Sequence, residues 1–113
     1  MKTTFIVNSE YFGDIPDDLA PKLMGNFFRK LCLENNKPDK ILFYGSGVKL
    51  VAKGTSPVLD ALEILSNAGV DLIACKTCID YYDLKDKIHI GRISSMQEVV
   101  SILTNSDKVI TIT

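Results

Sequence analysis

The sequence is poor in the residues that build metal sites and disulfide scaffolds. Its 113 residues include one histidine and three cysteines. A structural zinc site usually takes four cysteine or histidine ligands. Cys75 and Cys78 have no second cysteine pair to join, and His89 is the only histidine, so we expect no metal and no cofactor. The odd cysteine count also argues against a disulfide-stapled secreted domain and favours a reducing compartment, the cytoplasm.

The chain also lacks an excess of positive charge and any long apolar run. Thirteen basic and fourteen acidic side chains leave a net charge of −1, which argues against a general binder of nucleic acid or anionic membranes. No apolar run approaches the roughly 20 residues that cross a bilayer. The hydrophobic content of 46% is that of a globular protein. Length and composition therefore predict a single domain over residues 1–113, with no nucleic-acid or membrane partner.

Short apolar segments alternate along the chain with amphipathic ones. Strands are predicted over residues 3–8, 40–44, 70–74, 87–90 and 108–112. Helices are predicted from an Asp14 cap with Pro16 in the first turn, from Ser56-Pro57 to Gly69, over residues 77–83, and from a Ser95–Glu98 capping box. Strands joined by helical crossovers predict a mainly parallel five-stranded sheet with helices on both sides, a three-layer α/β/α sandwich.

The first predicted helix carries one apolar stripe, which also includes a cysteine. The stripe repeats at intervals of three and four residues, as expected for a helix that covers a core. Cys32 lies on it, and we therefore expect Cys32 to be a buried structural residue. The other members are Leu19, Leu23, Met24, Phe27, Phe28 and Leu31.

Three predicted loops follow the carboxyl ends of strands, where open parallel sheets gather their functional groups. They are Asn8-Ser9-Glu10, Gly45-Ser46-Gly47 and Cys75-Lys76-Thr77-Cys78. Only the last contains a nucleophile. A thiolate at the start of a helix is stabilised by free backbone amides, and Lys76 adds a positive charge. We predict that Cys75 attacks sulfur and that Cys78 resolves the mixed species.

Other functions remain open from the residues alone. The glycine turn, with Lys49 nearby, is predicted either to hold an anion or simply to need glycine's backbone freedom. It lacks the spacing of nucleotide-binding loops. The same cleft could serve a non-enzymatic, oligomeric module that binds a small anion or a partner peptide. A dithiol redox sensor is a third reading of the cysteine pair.

The block around the cysteine pair resembles a known family. Cys75-x-Thr77-Cys78-Ile79-Asp80-Tyr81-Tyr82, together with Gly47-Val48-Lys49-Leu50 and Leu84-Lys85-Asp86-Lys87, is similar to the DsrE/DsrF-like superfamily. It resembles most closely the C-terminal domain of YedF-type proteins, described as sulfurtransferase-like proteins of selenium metabolism. That subgroup usually has glycine where this chain has Lys76.

This resemblance implies both a fold and a function. It implies a three-layer domain with a five-stranded parallel sheet, assembled as a homo-oligomer, a dimer or trimer. It also implies a sulfur relay in which Cys75 carries a persulfide, or its selenium equivalent, and Cys78 is its partner. The partners would be sulfur donor and acceptor proteins. The residues expected around the bound group are Asn8, Gly45, Ser46, Gly47, Lys76 and Thr77.

Overall fold

The five strands form one all-parallel sheet. The computed structural model describes residues 2–12 and 16–112. The strands run in the order β4-β3-β2-β1-β5 across the sheet, and every neighbouring pair is parallel. This confirms the predicted fold class. Their bounds are Thr3–Val7 (β1), Lys40–Phe43 (β2), Asp71–Cys75 (β3), Arg92–Ser94 (β4) and Lys108–Ile112 (β5).

Within the described residues, four α-helices cover the two faces of this sheet. They are Ala20–Leu33 (α1), Leu59–Asn67 (α2), Lys76–Tyr81 (α3) and Met96–Asn105 (α4), and 3-10 helices span Gly45–Val51 and Lys85–Lys87. Successive residues of a strand point to opposite faces. On β2, Ile41 and Phe43 pack in the larger core with α1 and α2, whereas Leu42 packs in a smaller core against α4. The result is the three-layer arrangement.

The predicted position of the fourth strand is wrong. Residues 87–90 were predicted to be a strand, but β4 begins at Arg92. Ile88 instead makes a single antiparallel bridge with Ala52. Gly91 has a φ of 83°, and a Cβ there would lie 2.8 Å from the Leu72 carbonyl oxygen. The chain therefore needs a glycine turn before it can pair with β3, and the strand starts only after that turn.

Both long predicted helices begin later than expected. The predicted cap at Asp14 lies outside the described residues. The Pro16 carbonyl accepts hydrogen bonds from the amides of Leu19 and Ala20, which makes a turn ahead of α1. Ser56 Oγ accepts the Val58 amide at 3.1 Å, so Ser56 closes a local turn and α2 starts at Leu59. Such short side-chain bonds compete with helix starts.

The predicted capping box of α4 is half confirmed. Ser95 Oγ accepts the Glu98 amide at 3.3 Å. The Glu98 carboxylate does not return to Ser95. It accepts two hydrogen bonds from the Arg92 guanidinium, at 2.7 and 2.8 Å. It also accepts one from the Ser94 hydroxyl. Arg92 also binds both carboxylate oxygens of Asp71 at 3.0 and 3.1 Å, so one guanidinium links β3, β4 and α4.

This ion pair predicts a pH dependence of stability. Hydrogen bonds from Arg92, and then from Ser94, lower the pKa of Glu98 from 4.5 to about 2. A lowered folded-state pKa stabilises the fold above the unfolded pKa, and this contribution is lost as the pH falls toward the folded value. We expect Glu98→Gln to flatten the dependence of the free energy of unfolding on pH between 4.5 and about 2. The effect is modest because the pair is solvent-exposed.

Urea titrations across that pH window measure the effect. Glu63→Gln, on the exposed side of α2, is the matched control and should follow the parent curve. Identical pH profiles for the parent and Glu98→Gln would contradict the assignment.

Candidate active site

The carboxyl ends of three neighbouring strands bring the predicted loops together. Asn8 follows β1, Gly45 lies just beyond β2, and Cys75 ends β3. The Tyr44 amide donates to the Val7 carbonyl at 3.1 Å, and the Glu10 amide donates to Ser46 Oγ at 3.1 Å. The loops after β1 and β2 are therefore hydrogen-bonded to each other at this edge.

Two glycines allow these loops to meet. A Cβ at Gly47 would lie 2.2 Å from the Val7 carbonyl oxygen, where no side chain fits. Gly45 has a φ of 57°, and a Cβ there would lie 2.7 Å from the Asn8 carbonyl oxygen. The requirement for glycine in this turn is thus a matter of close backbone approach as well as of backbone conformation.

The two cysteines of the pair differ in their access to solvent. Cys75 is the last residue of β3, directly precedes α3, and is only 2% exposed. Cys78, in the first turn of α3, is half-buried. Its Sγ accepts a hydrogen bond from the Gly45 amide at 3.1 Å. The β2 loop therefore contacts the cysteine loop through Cys78. Neither thiol forms a disulfide.

Burial sets the ionisation of Cys78. It raises the pKa of the Cys78 thiol, the Gly45 hydrogen bond works in the opposite direction, and the neighbouring Cys75 thiol raises it further. For Cys78 this is opposite to the lowered pKa that we expected of a thiol at a helix start. The helix has only six residues, so the field of its free amides is weak.

The other predicted residues of the cysteine loop lie on the surface. Lys76 and Thr77 are both exposed. Lys76 Nζ pairs with the Asp80 carboxylate at 2.7 Å, one helical turn along α3. The positive charge predicted to favour a thiolate is thus largely compensated by a neighbouring carboxylate.

A second cluster at this edge was not foreseen. Lys49 Nζ lies 3.4 Å from the Glu10 carboxylate and 4.7 Å from the centre of the Tyr82 ring. The signal for it was available, because Glu10 follows β1 and Lys49 follows β2, its neighbour in the sheet. Tyr81 packs edge-on against Tyr82 but is 81% exposed. Of the two rings, Tyr82 is the one that packs against the core.

The glycine turn offers less to an anion than its sequence suggests. The Gly45 amide donates to Cys78, and the Gly47 amide donates to the Tyr44 carbonyl at 3.0 Å. The two glycine amides that motivated an anion site therefore already have partners.

Cys32 and His89 lie apart from this site. Cys32 is half-buried on α1, and its Sγ donates to the Ala61 carbonyl at 3.3 Å, which joins α1 to α2. His89 is exposed. Across residues 2–12 and 16–112, no cluster of three or more histidine, cysteine or acidic residues is arranged to hold a metal ion. In the same part of the chain, no helix is long and apolar enough to span a bilayer.

The fold and the site define a class: an all-parallel, three-layer α/β domain with a thiol pair beyond its third strand. The model of the DsrE/DsrF-like family matches residues 1–112. The chain therefore belongs to this family, which is associated with sulfur relay.

Two solved structures share the fold. The YchN protein of E. coli is 21% identical, with a TM-score of 0.72. MTH1491 of Methanobacterium thermoautotrophicum, a protein of unknown function, is 16% identical, with a TM-score of 0.70. In both comparisons the alignment covers 97% of each chain. No curated protein sequence matches the chain. At these identities the two structures establish the fold alone.

Proposed function

We propose that the protein is a sulfur-relay carrier that holds a sulfane sulfur as a persulfide on the Cys75/Cys78 pair. The observation that carries the proposal is the hydrogen bond from the Gly45 amide to Cys78 Sγ, with Cys75 close by, at the edge where parallel sheets bind their substrates. Membership of the DsrE/DsrF-like family supports the same chemistry.

The proposed reaction needs only the cysteine and two partners. A cysteine of the pair attacks the outer sulfur of a donor persulfide, a new S–S bond forms to the cysteine, and the S–S bond of the donor breaks. The donor leaves as a thiol that takes up the proton lost by the attacking cysteine. An acceptor thiol then attacks the outer sulfur and regenerates the cysteine. Sulfur is carried on the protein itself, so the proposal requires no separate cofactor.

The proposal extends to the partners and the cargo. A donor protein and an acceptor protein would meet the edge that Tyr81 exposes. We extend the proposal to selenium as a second cargo, on the resemblance of the Cys75–Tyr82 block to YedF-type proteins. Self-association as a dimer or trimer fits the exposed apolar side chains of Ile93, Met96 and Val100 on β4 and α4. Free thiols of this kind persist in a reducing compartment, for which we propose the cytoplasm.

Mass spectrometry after incubation with glutathione persulfide tests the proposal. We expect one added sulfur atom per chain on a peptide that contains Cys75 or Cys78, and its loss when an acceptor thiol is supplied. Cys32→Ser is the matched control and should load as the parent does, because Cys32 lies in the contact between α1 and α2. Added sulfur on Cys32 alone, or none at all, would contradict the proposal.

A further inference from the structure

The solvent exposure of the two thiols is the opposite of what their predicted roles require. The sequence predicted that Cys75 attacks the donor and Cys78 resolves the product. Cys75 is enclosed at 2% exposure, whereas Cys78 is only half-buried. Sulfur transfer requires a thiol to approach a sulfur atom in line with the bond that breaks, so access to each sulfur limits the reaction.

We propose that Cys78 is the thiol that receives the sulfane sulfur, and that Cys75 is an internal thiol that discharges it when no acceptor arrives. This inference rests on the proposed function and assigns the two steps of its chemistry to separate residues. Cys78 meets the bulky partners, and Cys75 meets only Cys78.

The hydrogen bond at Cys78 supports the first assignment. Burial disfavours the Cys78 thiolate, and the Gly45 amide is the group that opposes this effect. A thiol with a raised pKa is less often ionised but more nucleophilic when it is. A persulfide is also more acidic than its parent thiol, so loading creates negative charge next to an amide that already points at this sulfur.

The proximity of the two cysteines supports the second assignment, Cys75 as the internal thiol. They are three residues apart, with Cys75 immediately before α3 and Cys78 in its first turn, and the Cys75 thiol is close enough to affect the ionisation of Cys78. Cys75 then attacks the inner sulfur of the Cys78 persulfide. The Cys75–Cys78 disulfide forms, the S–S bond of the persulfide breaks, and the outer sulfur leaves as hydrosulfide with the proton of Cys75. A cellular dithiol reductant returns both thiols.

Lys76 makes the two cysteines separable in an experiment. Trypsin cuts after lysine, so Cys75 falls in peptide 54–76 and Cys78 in peptide 77–85. Cys32→Ser protein is treated with glutathione persulfide, alkylated under denaturing conditions and digested without reduction. We expect added sulfur on peptide 77–85 and none on peptide 54–76. After donor removal, hydrosulfide should appear together with the two peptides joined by a disulfide.

Substitutions of each cysteine complete the test. Cys78→Ser should lose loading, and Cys75→Ala should keep it with a longer-lived persulfide and no hydrosulfide release. The mapping on Cys32→Ser protein does not depend on how these variants fold. Added sulfur on peptide 54–76, or loading that survives Cys78→Ser, would overturn the assignment but leave the relay function intact. No loading on either peptide would overturn both.

Discussion

Gly47→Ala should cause a large loss of stability. A methyl group at this position would lie 2.2 Å from the Val7 carbonyl oxygen, which is backbone at the end of β1, a strand paired on both sides by β2 and β5. Overpacking typically costs about 1–3 kcal/mol and occasionally more. Because the obstacle here is backbone, we expect the upper end or beyond, against roughly 5–15 kcal/mol for a whole domain.

Gly54→Ala is the matched control for this substitution. Gly54 has a φ of 86°, a strained conformation for alanine that Gly47 does not have, but a Cβ there meets nothing within 4 Å. This control therefore carries a conformational cost and no collision, and a larger loss for Gly47→Ala is due to the collision. Urea unfolding of both variants measures the difference. A free energy of unfolding for Gly47→Ala equal to or above that of Gly54→Ala would show that the strands tolerate a larger separation at this edge.

Phe28→Ala should cost about 3–5 kcal/mol of stability. Phe28 on α1 is fully buried, and its ring lies 6.4 Å from that of Phe43, centre to centre. The substitution leaves a cavity between α1 and the last residue of β2, directly behind the loop that contacts Cys78. Residual function would then depend on how far the β2 loop moves.

Leu33→Ala is the control, because Leu33 is on the same helix and 76% exposed. Surface substitutions of this kind usually change stability by about 0.5 kcal/mol or less. Thermal and urea unfolding compare the two variants. Equal losses for Phe28→Ala and Leu33→Ala would mean that α1 contributes little to the core, contrary to its packing.

The sheet and its crossovers could be predicted because their signal is local. Residues 40–43 are almost all apolar, which marks a strand buried on both faces, and a stripe at helical spacing marked α1. The same local signal failed at residues 87–90. Their composition suits a strand, but the residues that pair with β3 are those that follow the turn at Gly91. The hydrophobic pattern of the sequence carries no information on the position of that turn.

The candidate site was predictable in its location but not in its internal order. Topology places Asn8, Gly45 and Cys75 at one edge, because each follows a parallel strand. Which cysteine is buried depends on the angle between β3 and α3, and on Gly45 reaching Cys78 across 33 positions of sequence. The Lys49–Glu10 pair spans 39 positions and also arises only from the folded chain.

The strand order has a consequence for how this chain is made. β1 lies between β2 and β5, and Thr3 pairs with Lys108. During synthesis from the amino terminus, one edge of β1 therefore stays without its partner until the last strand has left the ribosome. Pairings this distant along the chain slow folding, and unpaired strand edges invite association with other chains. Of the five strands, the first to be made is the last to be completed, and until then it depends on β2 and α1 for its protection.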